Sequence, residues 1–313
     1  MFEQLTQQIK NAQRIAIFNH VNPDGDALGS AFGLKLVLNA MGKQAEVFLR
    51  DGDNSLKEYE VLYKGEGTGL KVSDCDLKIA VDCADIDRLG DLKDQFTGNT
   101  AAIDHHITHK AFADVTIVCP DAPATGEIIF DVAEALGVKL TREIAHNLYA
   151  AIMCDTGSFK YSSTTPKTHI VAAELIKMGI DFAGLSKCLF DTKSVEYLNM
   201  YKKGIDRLEL YLEGRVAMLY FSEQDFAEGK IREADADGIV NLPNSIEGAE
   251  VGVYIRQRGE AFKVSLRSNG TVNVADVAAL FGGGGHEMAS GFLIKKPLET
   301  VKEEIIEEIK KVL

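Results

Sequence analysis

Between Arg14 and about Met178, short and continuously apolar runs alternate with helical patterns, and that alternation confines the chain to few folds. The runs are Ile15–Asn19, Ala45–Leu49, Leu77–Val81, Thr100–Ile103 and Thr116–Cys119. Runs of this kind suit strands buried on both faces, hence a mostly parallel sheet with helices on both sides. The helical stretches are Ala27–Met41, stopped by Gly42; Gly126–Leu136, stopped by Gly137; Arg142–Met153; and Lys167–Met178, stopped by Gly179. The expected fold class is α/β.

A chain of 313 residues is longer than one hydrophobic core usually serves, so two domains are expected. The first spans residues 1–181. Residues 182–212 read as a helical connector without a strand-like run. Residues 213–313 read as a smaller mixed α/β domain, with strands Val216–Phe221, Glu250–Gln257, Phe262–Arg267 and Phe292–Lys295, a short helix near Val274–Phe281 and an amphipathic helix Leu298–Leu313. The opening MFEQLTQQIK is polar and no later apolar stretch could span a bilayer, so a cytoplasmic protein with no membrane partner is expected. Cys75, Cys83, Cys119, Cys154 and Cys188 are odd in number and contain no CxxC pair, which argues against a disulfide framework and against structural zinc. The net charge of −13 opposes stable binding to long nucleic acid, so any nucleic-acid substrate should be short.

The strand candidates end on chemistry. Asn19 is followed by His20, Val81 by Asp82, and Ile103 by Asp104, His105 and His106, while the run Met153-Cys154 ends on Asp155. In an open parallel sheet such ends line one edge, where ligands bind. Asp24 and Asp26 flank Gly25 in the turn before a helix. Carboxylates gathered at one edge without basic partners repel one another unless cations sit among them. A nitrogen-and-oxygen donor set suits Mn²⁺, Mg²⁺ or Fe²⁺ better than structural zinc, and the imidazoles favour Mn²⁺ over Mg²⁺. Two such ions about 3.5–4 Å apart can orient a phosphoryl group and stabilise its leaving oxygen, which is phosphate-ester hydrolysis. The first strand is not followed by GxGxxG, and Gly42-Lys43-Gln44 lacks the Ser or Thr of a P-loop, so nucleotide-cofactor readings fail.

The segments HVNPDGDALGS, VDCADIDRLG, IDHH and CDTGSF, in that order, resemble the motifs of the DHH phosphoesterases, and GGGGHEMASGF resembles the glycine-rich motif of their DHH-associated second domain. Within the family, the length is most similar to the branch that cleaves short oligoribonucleotides (nanoRNA) and dephosphorylates 3′-phosphoadenosine 5′-phosphate (pAp). The resemblance implies a first ion held by His20, Asp24, Asp82 and Asp155, and a second held by Asp26, Asp82, His105 and Asp155. It puts His106 beside the second ion, at the scissile phosphate or the leaving group, and gives Asp104 the task of orienting an imidazole. Sequence does not say which of His105 and His106 binds metal. The second domain then grips the distal phosphate or ribose across an interdomain cleft, through Arg267 and through Gly283, Gly284, Gly285 and His286, whose flexible backbone can turn its amides toward an anion.

The implied enzyme is thus an oligoribonuclease and 3′,5′-bisphosphate nucleotidase that uses two Mn²⁺ or other divalent ions, with short RNA and pAp as substrates. A homodimer is left open. Rival readings are a phosphodiesterase of cyclic di-AMP or linear pApA, an inorganic pyrophosphatase, and a non-catalytic nucleotide sensor. Residues outside the motifs take plainer readings. His109, His146 and His169 are expected to have no catalytic role. Cys83 and Cys154 should pack in the core, and Thr125-Gly126 should cap a helix before touching any ligand.

Overall fold

The computed structural model describes residues 2–50, 59–230 and 238–313. It divides into two compact units, Met1–Thr192 and Lys193–Leu313. The division falls within the segment read as a connector. Leu185, on one side, is buried in the first unit's core, whereas Tyr197 and Met200 are buried in a core of the second.

The first unit is built on five parallel strands, β1 (Arg14–Phe18), β2 (Gln44–Phe48), β3 (Leu77–Val81), β4 (Thr100–Asp104) and β5 (Val115–Val118), in the order β2-β1-β3-β4-β5. Successive residues serve opposite faces. Ile15, Ile17, Ile79, Val81, Ala101 and Ile103 join the larger core, and Ala16, Phe18 and Ala80 join a smaller one with Cys83, Leu89 and Phe96. The larger core lies under α1 (Glu3–Asn11), α2 (Gly25–Ala40), α3 (Thr125–Ala135), α4 (Arg142–Asp155), α5 (Pro166–Lys177) and α6 (Phe182–Ser186). The smaller one is covered by the 3-10 helices Val72–Asp74 and Ile86–Gln95. The polar opening segment folds as α1 because Leu5 and Ile9, four residues apart, give it one buried stripe.

The second unit is a six-stranded mixed sheet in the order β10-β11-β9-β8-β7-β6, in which only β7 and β8 run parallel. Its strands are β6 (Glu209–Tyr211), β7 (Val216–Phe221), β8 (Val251–Arg258), β9 (Ala261–Ser268), β10 (Gly284–His286) and β11 (Ala289–Ile294). Its helices among the described residues include α7 (Val195–Asp206), α8 (Glu223–Gly229), α9 (Val274–Leu280) and α10 (Leu298–Lys310). Val253 and Ile255 share a core with α9 and α10, and Tyr254 faces the other core with Tyr197 and Met200 of α7. β6 lies in a stretch where the sequence shows no strand-like run. It is only three residues long and pairs along one edge, so little apolar patterning is needed. Among the described residues no helix is long and apolar enough to cross a membrane.

The packing of α2 on α4 depends on a missing side chain. A Cβ on Gly29 would lie 2.7 Å from the Asn147 carbonyl oxygen and 3.0 Å from the Ala151 amide nitrogen, both backbone atoms. The two helices carry Asp26 and Asp155 respectively, so their approach sets how far apart those carboxylates stand. Gly29→Ala should therefore cost about 1–3 kcal/mol through overpacking, despite the better helix propensity of Ala. The melting temperature should fall and divalent-ion affinity should weaken. A melting temperature equal to or above that of the unmodified protein would mean that the helices part freely.

Candidate metal and phosphate site

The site forms where the chain reverses its direction of travel across the sheet, between β1 and β3. His20 follows β1, Asp82 follows β3, and Asp104 ends β4, with His105 and His106 next in the chain. Asp24 caps α2, accepting from the Ala27 amide at 3.0 Å, and Asp26 sits in that helix's first turn. Asp155 is the last residue of α4, where a carboxylate opposes the helix dipole.

These groups converge. His20 Nε2 lies 3.7 Å from Asp82 Oδ2 and 3.9 Å from Asp24 Oδ2. His105 Nε2 lies 3.3 Å from Asp155 Oδ2, 3.6 Å from Asp82 Oδ1 and 4.0 Å from Asp26 Oδ2. Donor atoms fall within 4.8 Å of one another in three sets: His20, Asp24 and Asp82; Asp26, His105 and Asp155; and Asp82, His105 and His106. Asp82 belongs to two of them. Its φ of 56° puts a non-glycine residue in the left-handed region, a strained turn of the kind that clusters at functional sites.

The electrostatics are those of crowded anions. Burial, then the charges of Asp82, Asp155 and Asp24, raise the Asp26 carboxyl well above the usual range. Burial, with Asp24 and Asp82 behind it, lifts Asp155 to about 8. Asp82 is different. Burial pushes it up, but the neighbouring imidazoles of His20, His105 and His106 bring it below the ordinary value. Asp26 is held by the Thr125 amide at 2.6 Å, the Gly126 amide at 2.9 Å and Ser30 Oγ at 2.8 Å. Thr125 opens α3, yet its hydroxyl does not cap that helix. It donates to Asp82 Oδ1 at 3.0 Å, because the helix start is turned toward the buried carboxylates.

The donor set fits divalent cations. Oxygen and imidazole nitrogen atoms 3.3–4.0 Å apart are spaced as ligands around a shared ion, and each would lose charge repulsion on binding one. Asp104 lies behind them. Its Oδ1 is 2.7 Å from His106 Nδ1 and its Oδ2 is 2.6 Å from His109 Nδ1. Burial works against its charge, but the bond from His106 and then that from His109 bring it down to about 2. His109, read from sequence as having no catalytic role, thus touches Asp104. The signal was its place five residues after Asp104, which a lone histidine does not advertise.

The other plain readings meet their surroundings. His146 Nε2 is 3.0 Å from the Val61 carbonyl, and His169 stacks on Phe159. Cys83 is buried in the smaller core, and Cys154, half-buried on α4, packs against Gly25, where a Cβ would come 2.1 Å from its Sγ.

In the second unit His286 pairs with Ala289, and Ala289 with Arg267, so the three side chains stand on one face of the sheet. Arg267 Nε donates to Asn241 Oδ1 at 3.1 Å. Of the glycines expected to turn freely, Gly284 and Gly285 run in edge strand β10, and Gly283 immediately precedes it. A Cβ on Gly283 would lie 2.3 Å from the Gly291 carbonyl, and one on Gly285 2.6 Å from the Ala289 carbonyl, so close packing on β11 excludes side chains at these two positions, whereas one on Gly284 would meet open space.

The description "DHH family, N-terminal domain" matches residues 14–152, and "DHHA1 domain" matches residues 214–313. The bifunctional oligoribonuclease and PAP phosphatase NrnA of Thermus thermophilus is 33% identical over 93% of this chain and 90% of its own length. The probable bifunctional oligoribonuclease and PAP phosphatase NrnA of Streptococcus mutans is 32% identical over 100% and 99%. Among solved structures, an exopolyphosphatase-related protein from Bacteroides fragilis superposes with a TM-score of 0.85 at 25% identity, covering 99% of this chain and 95% of that one.

The raised Asp155 carboxyl fixes the sign of a stability test. Its folded pKa of about 8 exceeds the ordinary aspartate value of 3.8, so between those values the folded state holds the extra proton and loses stability as pH rises. In protein stripped of divalent ions, Asp155→Asn should raise the melting temperature at about pH 9 by a few degrees and change it little at about pH 4. With Mn²⁺ present the order should reverse, because the variant has lost a carboxylate from the cluster. Melting curves at both pH values, with and without Mn²⁺, measure this; a stripped variant less stable at the higher pH would contradict it.

Proposed function

The chain belongs to the DHH family, with a DHHA1 domain in its second unit, and we propose on that footing that it hydrolyses short oligoribonucleotides to mononucleotides and converts pAp to AMP. It is a hydrolase of phosphate esters. The observation that carries the reading is the convergence of His20, Asp24, Asp26, Asp82, His105 and Asp155 into two donor sets bordering on Asp82. The relatives named for both activities match the chain across both units, which supports the same substrates here.

We assign His20, Asp24, Asp82 and Asp155, whose carboxyl feels the charges of Asp24 and Asp82, to one divalent ion, and Asp26, Asp82, His105 and Asp155 to another. Mn²⁺ is favoured by the mixture of imidazole and carboxylate. Two bound ions would supply charge to the phosphoryl oxygens, activate water and stabilise the leaving oxygen. His105 is the better ligand of the histidine pair. Its Nδ1 faces the Ala122 carbonyl at 3.3 Å, and its Nε2 is the atom near Asp26, Asp82 and Asp155. His106 instead engages Asp104 through Nδ1, which leaves Nε2 to contact the scissile phosphate or to protonate the leaving oxygen. Arg267 and His286, with the backbone at Gly283 and at Gly284 and Gly285 of β10, are assigned to the substrate's distal phosphate or ribose. A cytoplasmic setting agrees with five free cysteines.

Purified protein with Mn²⁺ should hydrolyse pAp and a labelled dinucleotide well ahead of cyclic di-AMP, pyrophosphate and a long RNA. Faster cleavage of cyclic di-AMP than of linear substrates would favour the cyclic-dinucleotide reading, and no turnover at all would leave a nucleotide sensor. Asp82→Ala should lower kcat on every substrate by about two orders of magnitude or more while the fold survives. Near-normal turnover at saturating Mn²⁺ would refute the shared-carboxylate assignment.

Arg267→Ala or His286→Ala should lower kcat/KM for pAp and dinucleotides by about tenfold or more, mainly through KM, with unchanged metal content. Bis-p-nitrophenyl phosphate has no distal group, so its hydrolysis should be nearly indifferent to either change. Equal damage to all substrates would place these residues in the catalytic centre or in the folding core.

A further inference from the structure

Asp104 is a fully buried carboxylate with four donors around it. Its Oδ1 accepts the backbone amides of His105 at 2.8 Å and His106 at 3.2 Å and lies 2.7 Å from His106 Nδ1. Its Oδ2 lies 2.6 Å from His109 Nδ1. A carboxylate at such distances can only accept, so each ring carries its hydrogen on Nδ1.

The two rings differ in what else they can do. The His106 side chain is 36% exposed and can meet a substrate, whereas that of His109 is 4% exposed and cannot. His109 stacks on Phe112 with ring centres 5.4 Å apart, and its Nε2 is buried with no hydrogen-bond partner. Nδ1, facing Asp104, is therefore the ring's one hydrogen-bonded nitrogen. The turn bearing it is pinned at both ends, by His109 N–H to the His106 carbonyl at 3.1 Å and by Lys110 N–H to the Ala84 carbonyl at 2.8 Å.

We propose that His109 is a positioning residue for the phosphoesterase reaction: by holding Asp104 Oδ2 it fixes the carboxylate plane, so that Oδ1 keeps His106 in the Nδ1–H tautomer with Nε2 left for the substrate. Without this donor Oδ2 would be a buried, unpaired charge, and the carboxylate would turn to find another partner. His106 would then lose both its orientation and its fixed tautomer. The catalytic consequence rests on the phosphoesterase reading above; the hydrogen-bond arrangement does not.

Two substitutions and one spectrum test the proposal. His109→Phe keeps a ring to stack on Phe112 but has no donor, and His109→Asn offers an amide N–H near the position of Nδ1. For pAp hydrolysis with Mn²⁺, His109→Phe should lower kcat by about 10–100-fold with KM changed by less than about threefold, and His109→Asn should recover most of the loss. Metal content should match the unmodified protein in both. In ¹⁵N-detected imidazole spectra, taken with Mg²⁺ to avoid paramagnetic broadening, the unmodified protein should show His106 and His109 both protonated at Nδ1, and His109→Phe should show His106 exchanging between tautomers. Unchanged kcat in a folded His109→Phe, equal losses in both variants with the His106 tautomer intact, or a bare Nδ1 on His109 in the unmodified protein would each overturn the proposal. Should His109→Phe fail to fold, the spectrum of the unmodified protein and the activity of His109→Asn still decide. If the unmodified protein hydrolyses no phosphate ester, the phosphoesterase reading fails, while the spectra judge the clamp separately.

Discussion

The repulsion among buried carboxylates is the constraint around which the first unit is organised. Asp26, Asp82 and Asp104 are each 2% exposed or less. At such burial a charge without compensation costs several kcal/mol, so each must be matched by donors that the fold holds in place. The matching differs at every position. Asp26 takes two amides from the start of α3 and the hydroxyl of Ser30. Asp82 takes the Thr125 hydroxyl and the nearby imidazoles. Asp104 takes two amides and two imidazoles. What remains uncompensated is concentrated on Asp26 and Asp155, the two carboxyls pushed upward, and that is where a cation has most to offer.

The sheet turns this local chemistry into a site. β1, β3 and β4 are neighbours, so the residues after their last strand positions arrive side by side although some 80 residues of chain separate His20 from His105. The helices complete the set, since α2 brings Asp24 and Asp26, α4 brings Asp155, and the start of α3 supplies the amides that hold Asp26. Glycine makes that approach close. Gly29 has Asn147 and Ala151 against it, and a Cβ on Gly126 would lie 2.6 Å from that of Ala151.

The second unit reaches its candidate contacts by a different route. Its strands alternate between two cores, and Arg267 and His286 share a face because β9, β11 and β10 are hydrogen-bonded in one register. Gly283 and Gly285 let this segment lie against β11. Any anion-binding capacity of its backbone is therefore that of an edge strand, whose outward amides have no partner strand among the described residues.

Much of this was legible in the chain itself. Continuous apolar runs identified β1, β3, β4 and β7 to within a residue or so, because burial on both faces leaves no room for polar residues, and glycine stops marked the helix ends. The ends of those runs likewise exposed His20, Asp82, Asp104, His105 and His106, since chemistry placed directly after a buried strand stands out against it. β6 and β10 left no such mark, for short edge strands need almost no apolar patterning. Nor could spacing alone say that Thr125 would donate to Asp82 or that His109 would close on Asp104. The sequence by itself determined the buried strands, the main helices and the kinds of ligand. Only the tertiary structure decided which donor meets which carboxylate, because hydrogen bonds between residues remote in the chain depend on how strands, helices and turns pack and not on any local period.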